Sequence, residues 1–377
     1  MKYRHIPRAN ADISVLGFGC MRFPMAGEGK DARVDDEKVV PMIKKAYELG
    51  VNYYDSAWGY SNADNQRALG NALNTLGIRD KVYVSTKLPM WEVKTEEDFD
   101  RFLDAQLQKL DTDHIDFYHF HAMNREHWET KVLPFKLIDK AEKAKSKGLI
   151  KNLCFSFHDK RDLMDEMINT DAFASMLVQY NLIDRSNEEG MAYAASKGMG
   201  VFVMGPVGGG NISLGGDNFL KKFDTDATSA PELAFRFVCG NPNVTCALSG
   251  MINEEMVAEN VAYAVAGAGI SAEEWEKLHV ATDELTALSK RYCSGCNYCD
   301  VCPKGIKPST IFRMYNNWKV WGLDAVAKNA YAGLGAKEDS PKNPDVCVSC
   351  GACAKKCPQN LDIPAELAKM NAELKTL

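Results

Sequence analysis

"DEKVVPMIKKAYELGVNYYDSA", residues 36–57, carries two kinds of periodicity in one short segment. In its first part Val39, Met42, Ile43, Ala46, Tyr47 and Leu49 recur at helical spacing and fall mostly on one face. Gly50 stands where such a helix would end, as C-terminal caps prefer. The remainder, "VNYYDSA", is a short β-rich run. An amphipathic helix feeding through glycine into a short apolar strand is the repeating unit of an α/β protein.

The same alternation runs outward in both directions. Further β-rich runs are "SVLGFGCMRF" (14–23), "VYVSTKL" (82–88), "IDFYHFH" (115–121), "IKNLCFSF" (150–157), "MLVQY" (176–180), "GVFVMGP" (200–206) and "VTCALSG" (244–250), with segments of helical spacing between them. Gly77, Gly148 and Gly198 repeat the stop signal of Gly50. Eight units in roughly 265 residues is the count of a closed (β/α)8 TIM barrel. A doubly wound open sheet is the competitor, but it normally carries G-x-G-x-x-G after its first strand, and "GFGCMRF" does not match. The expected organisation is a barrel over 1–270, then a helical linker and a small, mainly helical domain over 271–377. "SAEEWEKLHVATDELTALSK" (271–290) reads as one long helix at that boundary.

The chain has 377 residues, 46% apolar and 25% charged, with a net charge of −6. That balance suits a soluble globular protein and gives no basic surface for nucleic acid. Its start, "MKYRHIPRANADISVLGFGC", lacks the apolar core of a signal peptide, and no apolar run approaches the ~20 residues of a membrane span. A cytoplasmic location is expected.

In a barrel of this kind the chemistry sits where strands end and βα loops begin. Strand two closes on Asp55, strand three on Lys87 and strand four on His121, and Tyr60 follows in the loop "DSAWGY". Taken singly, each has an ordinary structural role. At one rim together they form equipment for giving a proton to a carbonyl. A phenol near pKa 10 is a weak acid, and an adjacent ammonium is expected to lower that value. Asp55 would hold Lys87, and His121 would hydrogen-bond the carbonyl oxygen of a small-molecule substrate.

With "DSAWGY", "STK" and "DFYHFH" the chain resembles the aldo-keto reductase family over about residues 1–270. The resemblance implies NADPH or NADH extended over the barrel mouth, with Asp55, Tyr60, Lys87 and His121 as the catalytic set. It also implies cofactor contacts from Gly19, Met21, Asp55, Ser156 and Gln179, from Met204, Gly205, Pro206 and Val207 in "MGPVGGG", and from Gly250, Met251, Glu259 and Asn260 in "SGMINEEMVAEN". Phe157 stands where the family often has Asn, and Met204 where an aromatic ring usually lies under the nicotinamide. Met251 and Met256 occupy positions that carry cations in NADP-specific members. Trp58, Phe23, Met123 and Asn124 are expected to line the pocket by position.

Eight of the twelve cysteines crowd into "CSGCNYCDVCP" (293–303) and "CVSCGACAKKCP" (347–358). The second run is C-x2-C-x2-C-x3-C-P, the bacterial ferredoxin pattern for a [4Fe–4S] cluster, and the first is one residue shorter. In two-cluster ferredoxins the fourth cysteine of each run serves the other cluster. That groups Cys293, Cys296, Cys299 and Cys357, and separately Cys302, Cys347, Cys350 and Cys353. Structural zinc is the alternative, but its ribbons use two C-x2-C pairs. The long spacer resembles helical dicluster ferredoxin domains. Cys20, Cys154, Cys239 and Cys246 read as buried small hydrophobes.

The leading expectation is a nicotinamide-dependent oxidoreductase acting on a carbonyl and carrying two [4Fe–4S] clusters. Hydride moves two electrons and a cluster moves one, and no flavin fingerprint bridges them, so a redox partner protein enters as a possible user of the clusters. The rival is an iron–sulfur electron-transfer protein whose barrel serves as a nicotinamide-binding or docking scaffold.

Overall fold

The computed structural model describes residues 1–210, 212–215, 219–283, 293, 295–320 and 324–377. Two compact units emerge from it. The first comprises Met1–Gln179, Ser186–Met204 and Val238–Ile270, and the second Tyr180–Arg185, Gly205–Phe237 and Ser271–Leu377. A break does fall between Ile270 and Ser271, near the expected boundary, but the second unit also takes two earlier segments.

The first unit opens with an antiparallel hairpin of β1 (Tyr3–Ile6) and β2 (Ala11–Ser14). The barrel strand β3 (Leu16–Gly19) follows at once, and a small hairpin of β4 (Met25–Ala26) and β5 (Arg33–Val34) stands beyond it. The other barrel strands are β6 (Tyr53–Asp55), β7 (Tyr83–Leu88), β8 (Ile115–Met123), β9 (Ile150–Phe157), β10 (Ser175–Gln179), β11 (Gly200–Met204) and β12 (Cys246–Ser249). All neighbours are parallel and β12 pairs with β3, so the eight strands close in chain order. The helix Asp36–Glu48 buries Val39, Met42, Ile43 and Ala46, the face that the spacing marked, and Gly50 ends it at φ +90°.

Ile6, Ala11 and Ile13 from the N-terminal hairpin pack in one cluster with Tyr53, Phe117, Leu177, Phe202 and Leu248 from five barrel strands. Tyr53 and Phe202 stack at 4.4 Å between centroids. The hairpin therefore seals the end where the strands begin, and polar side chains are left to the end where they finish. The run read from the sequence begins only at Ser14, the last residue of β2, so the hairpin and its seal lie outside it.

The core of the second unit joins the helix Pro308–Lys319 to the helix Ile363–Leu374. Ile311, Phe312, Met314 and Tyr315 from the first meet Ile363, Leu367, Met370 and Leu374 from the second, with Cys299 and Cys353 in the same cluster. The segment 180–185 belongs here because the Arg185 guanidinium donates to the His279 carbonyl, the Thr282 hydroxyl and the Asp283 carboxylate. The long helix expected over 271–290 is observed as Ala272–Ala281, and its later residues lie outside the described ones.

Candidate active site and iron–sulfur loops

Asp55 ends β6 and Lys87 lies near the end of β7, so adjacent strands deliver them to one place. The Lys87 ammonium sits 2.7 Å from each Asp55 carboxylate oxygen and donates to the Ser56 carbonyl at 2.7 Å. Ser85 donates to the same carboxylate at 2.5 Å. Both charges are buried, so each needs the other: an ammonium or carboxylate stripped of water is stable only when paired and hydrogen-bonded.

Tyr60 stands beside this pair, with Lys87 Nζ 5.2 Å from its ring centre. The loop that holds it is strained. Ser61, Asn62 and Ala63 all take left-handed backbone at φ +50°, +56° and +62°, each costing roughly 1–2 kcal/mol. Asn62 donates to the carbonyls of Gly29 and Ala32, and Asp64 accepts from the Val34 amide and Arg67. These bonds clamp the loop to the β4–β5 hairpin. The phenol is pushed above its ordinary value, first by burial, then by the Asp55 and Cys20 charges. This reverses the expectation that Lys87 lowers it: the ammonium is already committed to Asp55.

His121 reaches the site through an irregularity in β8. The pairing with β9 shifts between Phe120 and Met123, and Ala122 has φ +54°. Such a bulge re-aims the neighbouring side chain. Ser156 Oγ accepts the Ala122 amide at 2.7 Å and fixes the distortion. The imidazole lies edge-on to Tyr60, at 6.2 Å between centroids. Burial holds its pKa well below the usual range, helped by Lys87, His158, His119 and His127, so it is neutral. Its Nδ1 is buried without a partner among the described residues.

The residues expected to hold a nicotinamide cofactor fall into distinct groups. Ser156 and Gln179 end β9 and β10 as buried polar groups, and the Gln179 amide nitrogen has no hydrogen-bond partner among the described residues. An unpaired buried donor is unfavourable unless a ligand acceptor meets it, so this position fits a carboxamide. A Cβ on Gly19 would stand 3.2 Å from the Ser249 carbonyl, leaving room only for backbone. Asn260 is buried and donates to Ser249, Glu259 is exposed, and Met21 is half exposed. The Met251 side chain belongs to the core at 0% exposure. Met204 ends β11 half-buried, while Gly205, Pro206 and Val207 fall in the second unit.

The expected pocket lining also changes. Phe23 and Met123 are core residues, Asn124 caps the short helix Arg125–His127, and Trp58 is taken up by Phe102 and Lys109. Trp91 instead packs on His121 at 4.9 Å, partly exposed. Its only sequence signal is a place four residues after Lys87. Arg22 is another residue missed: its aliphatic stem covers Gly250, where a Cβ would lie 2.8 Å from Arg22 Cδ.

The two cysteine loops share one backbone design. Left-handed residues recur two positions after the first cysteine and one after the second: Gly295 and Asn297 in one run, Ser349 and Gly351 in the other. The amides of Gly295 and Ser349 donate to Cys293 Sγ and Cys347 Sγ at 3.4 Å. After the fourth cysteine each chain takes a proline and a left-handed residue, Gly305 or Asn360, before a helix with proline in its first turn. Cys293, Cys296, Cys299 and Cys357 line one pocket with Phe312, Leu361 and Ile363. The Cys353 thiol is pushed above its ordinary value, first by burial and to a smaller extent by the neighbouring Cys302 and Cys347. Burial pushes the Cys293 and Cys299 thiols up to about 12, and binding to a metal would favour their deprotonated form. Among the described residues no group of three or more His, Cys, Asp or Glu side chains is arranged to hold a single metal ion. In a [4Fe–4S] cube each thiolate binds its own iron, so the sulfurs need to surround a space rather than meet at a point. The donor chemistry and the crossed grouping fit such a cluster.

A sequence model of the aldo/keto reductase family matches residues 15–283, more than half of the chain. The chain belongs to the aldo/keto reductase family. A model described as a 4Fe-4S dicluster domain matches residues 292–363. This aldo/keto reductase shares its fold with AKR11C1 from Bacillus halodurans in the holo form, at a TM-score of 0.63 and 24% identity, over 74% of this chain and 96% of that one. Its sequence is 23% identical to the uncharacterized oxidoreductase YqkF of Bacillus subtilis (strain 168), over 69% of this chain and 90% of that protein. It is 25% identical to the NADH-specific methylglyoxal reductase of Escherichia coli (strain K12), over 69% and 93%. The protein is thus an oxidoreductase with an iron–sulfur dicluster domain, and among the described residues no helix is long and apolar enough to cross a membrane.

Proposed function

We propose that the barrel reduces a small aldehyde or ketone with a nicotinamide cofactor, and that the C-terminal region holds two [4Fe–4S] clusters. The observation that carries the reading is the Lys87 ammonium, paired with Asp55 and 5.2 Å from the Tyr60 ring at the ends of the barrel strands. The cofactor, when bound, supplies hydride to the carbonyl carbon. Tyr60, kept protonated by burial and by Asp55, gives its proton to the carbonyl oxygen. Neutral His121 donates a hydrogen bond to that oxygen and sets its direction. Gln179 and Ser156 orient the carboxamide, and Trp91 on His121 walls the substrate side.

NADH is the favoured cofactor. Met251 and Met256 bring no cation to the adenosine segment, and the helix Glu254–Gly267 begins with Glu254 and Glu255, which repel a 2′-phosphate. The NADH-specific E. coli relative agrees with that choice. The clusters are assigned to Cys293, Cys296, Cys299 and Cys357, and to Cys302, Cys347, Cys350 and Cys353. They exchange electrons with a redox partner protein in a reducing cytoplasm.

The test is Tyr60→Phe assayed with methylglyoxal as the probe aldehyde. NADH binding, read by fluorescence, is retained while reduction falls at least about a hundredfold. Full activity in the variant removes Tyr60 as the acid.

A further inference from the structure

The two cysteine sets have different surroundings. The first, with Cys293, Cys296, Cys299 and Cys357, is walled by Phe312, Leu361 and Ile363. In the second, Cys350 is exposed. Val301, next to Cys302, and Val346 and Val348, on either side of Cys347, are 49%, 44% and 58% exposed. Three aliphatic side chains held in water beside one set of metal ligands do not serve the core of the unit, which is built from other residues.

Charge is arranged around the same loops. Lys304, Lys355 and Lys356 are exposed and make no ion pair among the described residues. Lys342 joins them, because its amide bonds the Gly305 carbonyl at 3.0 Å. The nearby Asp345 is already engaged by Lys375 and Asn371, each at 2.7 Å. Residues 293–377 hold 11 Lys or Arg against 8 Asp or Glu, a net +3 in a chain of net −6. The rest of the chain is therefore acidic, and its positive charge is displaced to the iron–sulfur end.

Resting on the two-cluster reading above, we propose that the face around Cys302, Cys347, Cys350 and Cys353 docks a small acidic one-electron carrier protein of the flavodoxin kind. Single-electron exchange needs close approach, and this set is the one with an exposed cysteine. Redox encounter interfaces are small, and lysines around an apolar centre supply steering without a long residence. In the step, one electron leaves a reduced cluster and enters the oxidised centre of the carrier. No bond forms or breaks in the iron–sulfur protein, and the carrier's one-electron-reduced flavin takes its N5 proton from solvent.

The experiment uses the full iron-loaded chain under anaerobic conditions and the triple variant Lys304→Glu/Lys355→Glu/Lys356→Glu. EPR of dithionite-reduced wild type first counts cluster spins. Fewer than two removes the two-cluster reading, and this proposal with it; two leaves the docking question to be decided separately. Calorimetric titration with oxidised flavodoxin, and stopped-flow oxidation of the reduced protein by it, then test the face. The triple variant is expected to lose at least about tenfold in both affinity and second-order rate. Wild type is expected to lose a similar factor between ~50 mM and ~500 mM salt, where screening shortens the reach of charge. A basic carrier, cytochrome c, is expected to accept electrons faster from the variant than from wild type. NADH-dependent aldehyde reduction stays unchanged. Val348→Asp, a single change at an exposed position, is expected to move binding the same way if the triple variant holds fewer clusters than wild type. Equal binding and rates for wild type and both variants overturn the proposal. So does a variant that changes only its sedimentation behaviour, which would mark the face as a contact between copies of this chain.

Discussion

Lys87 Nζ lies 2.7 Å from both carboxylate oxygens of Asp55, and the two residues are 1% and 6% exposed at their side chains. The ammonium is therefore spent on its carboxylate before it can act on Tyr60. Burial and the Asp55 charge then hold the phenol above its ordinary value. The pair reads better as a device that fixes Lys87 and keeps Tyr60 protonated than as one that makes a phenolate.

Lys87→Met should show how tightly activity and stability are joined here. It leaves Asp55 buried without a counter-charge, a loss of about 3–5 kcal/mol in stability. Reduction of the aldehyde is expected to fall by roughly 10²–10⁴. Asp55→Asn/Lys87→Met removes both charges and should recover most of the stability and none of the activity. Denaturant melts and steady-state kinetics on the two variants check this, and a double variant no more stable than Lys87→Met argues against the charge account.

The direction of the Tyr60 shift gives a pH profile. A phenol whose pKa is raised keeps its proton past pH 10, so kcat/KM for reduction should stay level between pH 8 and 10. Asp55→Asn removes a negative charge that opposes ionisation, and any alkaline limb should move to lower pH. A wild-type profile already falling below pH 9 would show that another group sets the limb.

Much of this site could be read from the chain, for physical reasons. Asp55, Lys87 and His121 announce themselves because strand periodicity fixes where each strand ends, and a barrel brings strand ends together. What could not be read depends on contacts remote in sequence. Arg22 lies over Gly250, and Ile6 packs with Phe202, across gaps no spacing rule spans. The Ala122 bulge that aims His121 breaks the period of two on which strand reading rests. The make-up of the second unit escapes the sequence for a similar reason: Arg185 bonds to residues 279–283, so a segment between barrel strands groups with the later unit. The pKa of Tyr60 was misjudged because sequence shows which charges are near but not which are already paired.

The buried histidines predict how stability responds to acid. Burial holds His119 down to about 3 and His158 down to about 4. In the unfolded chain both take protons near pH 6.5, while the folded chain refuses them until about pH 4 or below. The unfolded state thus binds more protons in that window, and stability falls as pH drops from about 6.5 towards 4, by at most ~1.4 kcal/mol per unit for each histidine. His119→Gln should reduce the slope by about one such contribution, measured as urea midpoints at pH 7, 6 and 5. An unchanged slope would mean that His119 takes its proton in the folded state.

Arg22 offers a test of the cofactor side. Its stem covers Gly250 at the start of the segment expected to clasp the adenosine half, and the residue is otherwise exposed. Arg22→Ala is expected to raise KM for NADH about tenfold with little change in kcat, the signature of binding shared by ground and transition states. A fall in kcat with KM unchanged would place Arg22 outside cofactor binding.

The crossed cysteine grouping makes the sharpest prediction. If the fourth cysteine of each run serves the other cluster, Cys357→Ser damages the same cluster as Cys296→Ser, although the two lie 61 residues apart. Cys302→Ser should instead match Cys353→Ser. The structure supplies the reason: Cys357 lines a pocket with Cys293, Cys296 and Cys299, and Cys302 stands with Cys347 near Cys353. Each single variant is expected to retain one intact cluster, about half of the roughly eight irons of the whole. EPR of the reduced variants should sort them into two spectral classes by space rather than by run. If Cys357→Ser matches Cys350→Ser instead, each run keeps its own cluster and the pocket around Cys357 has another purpose.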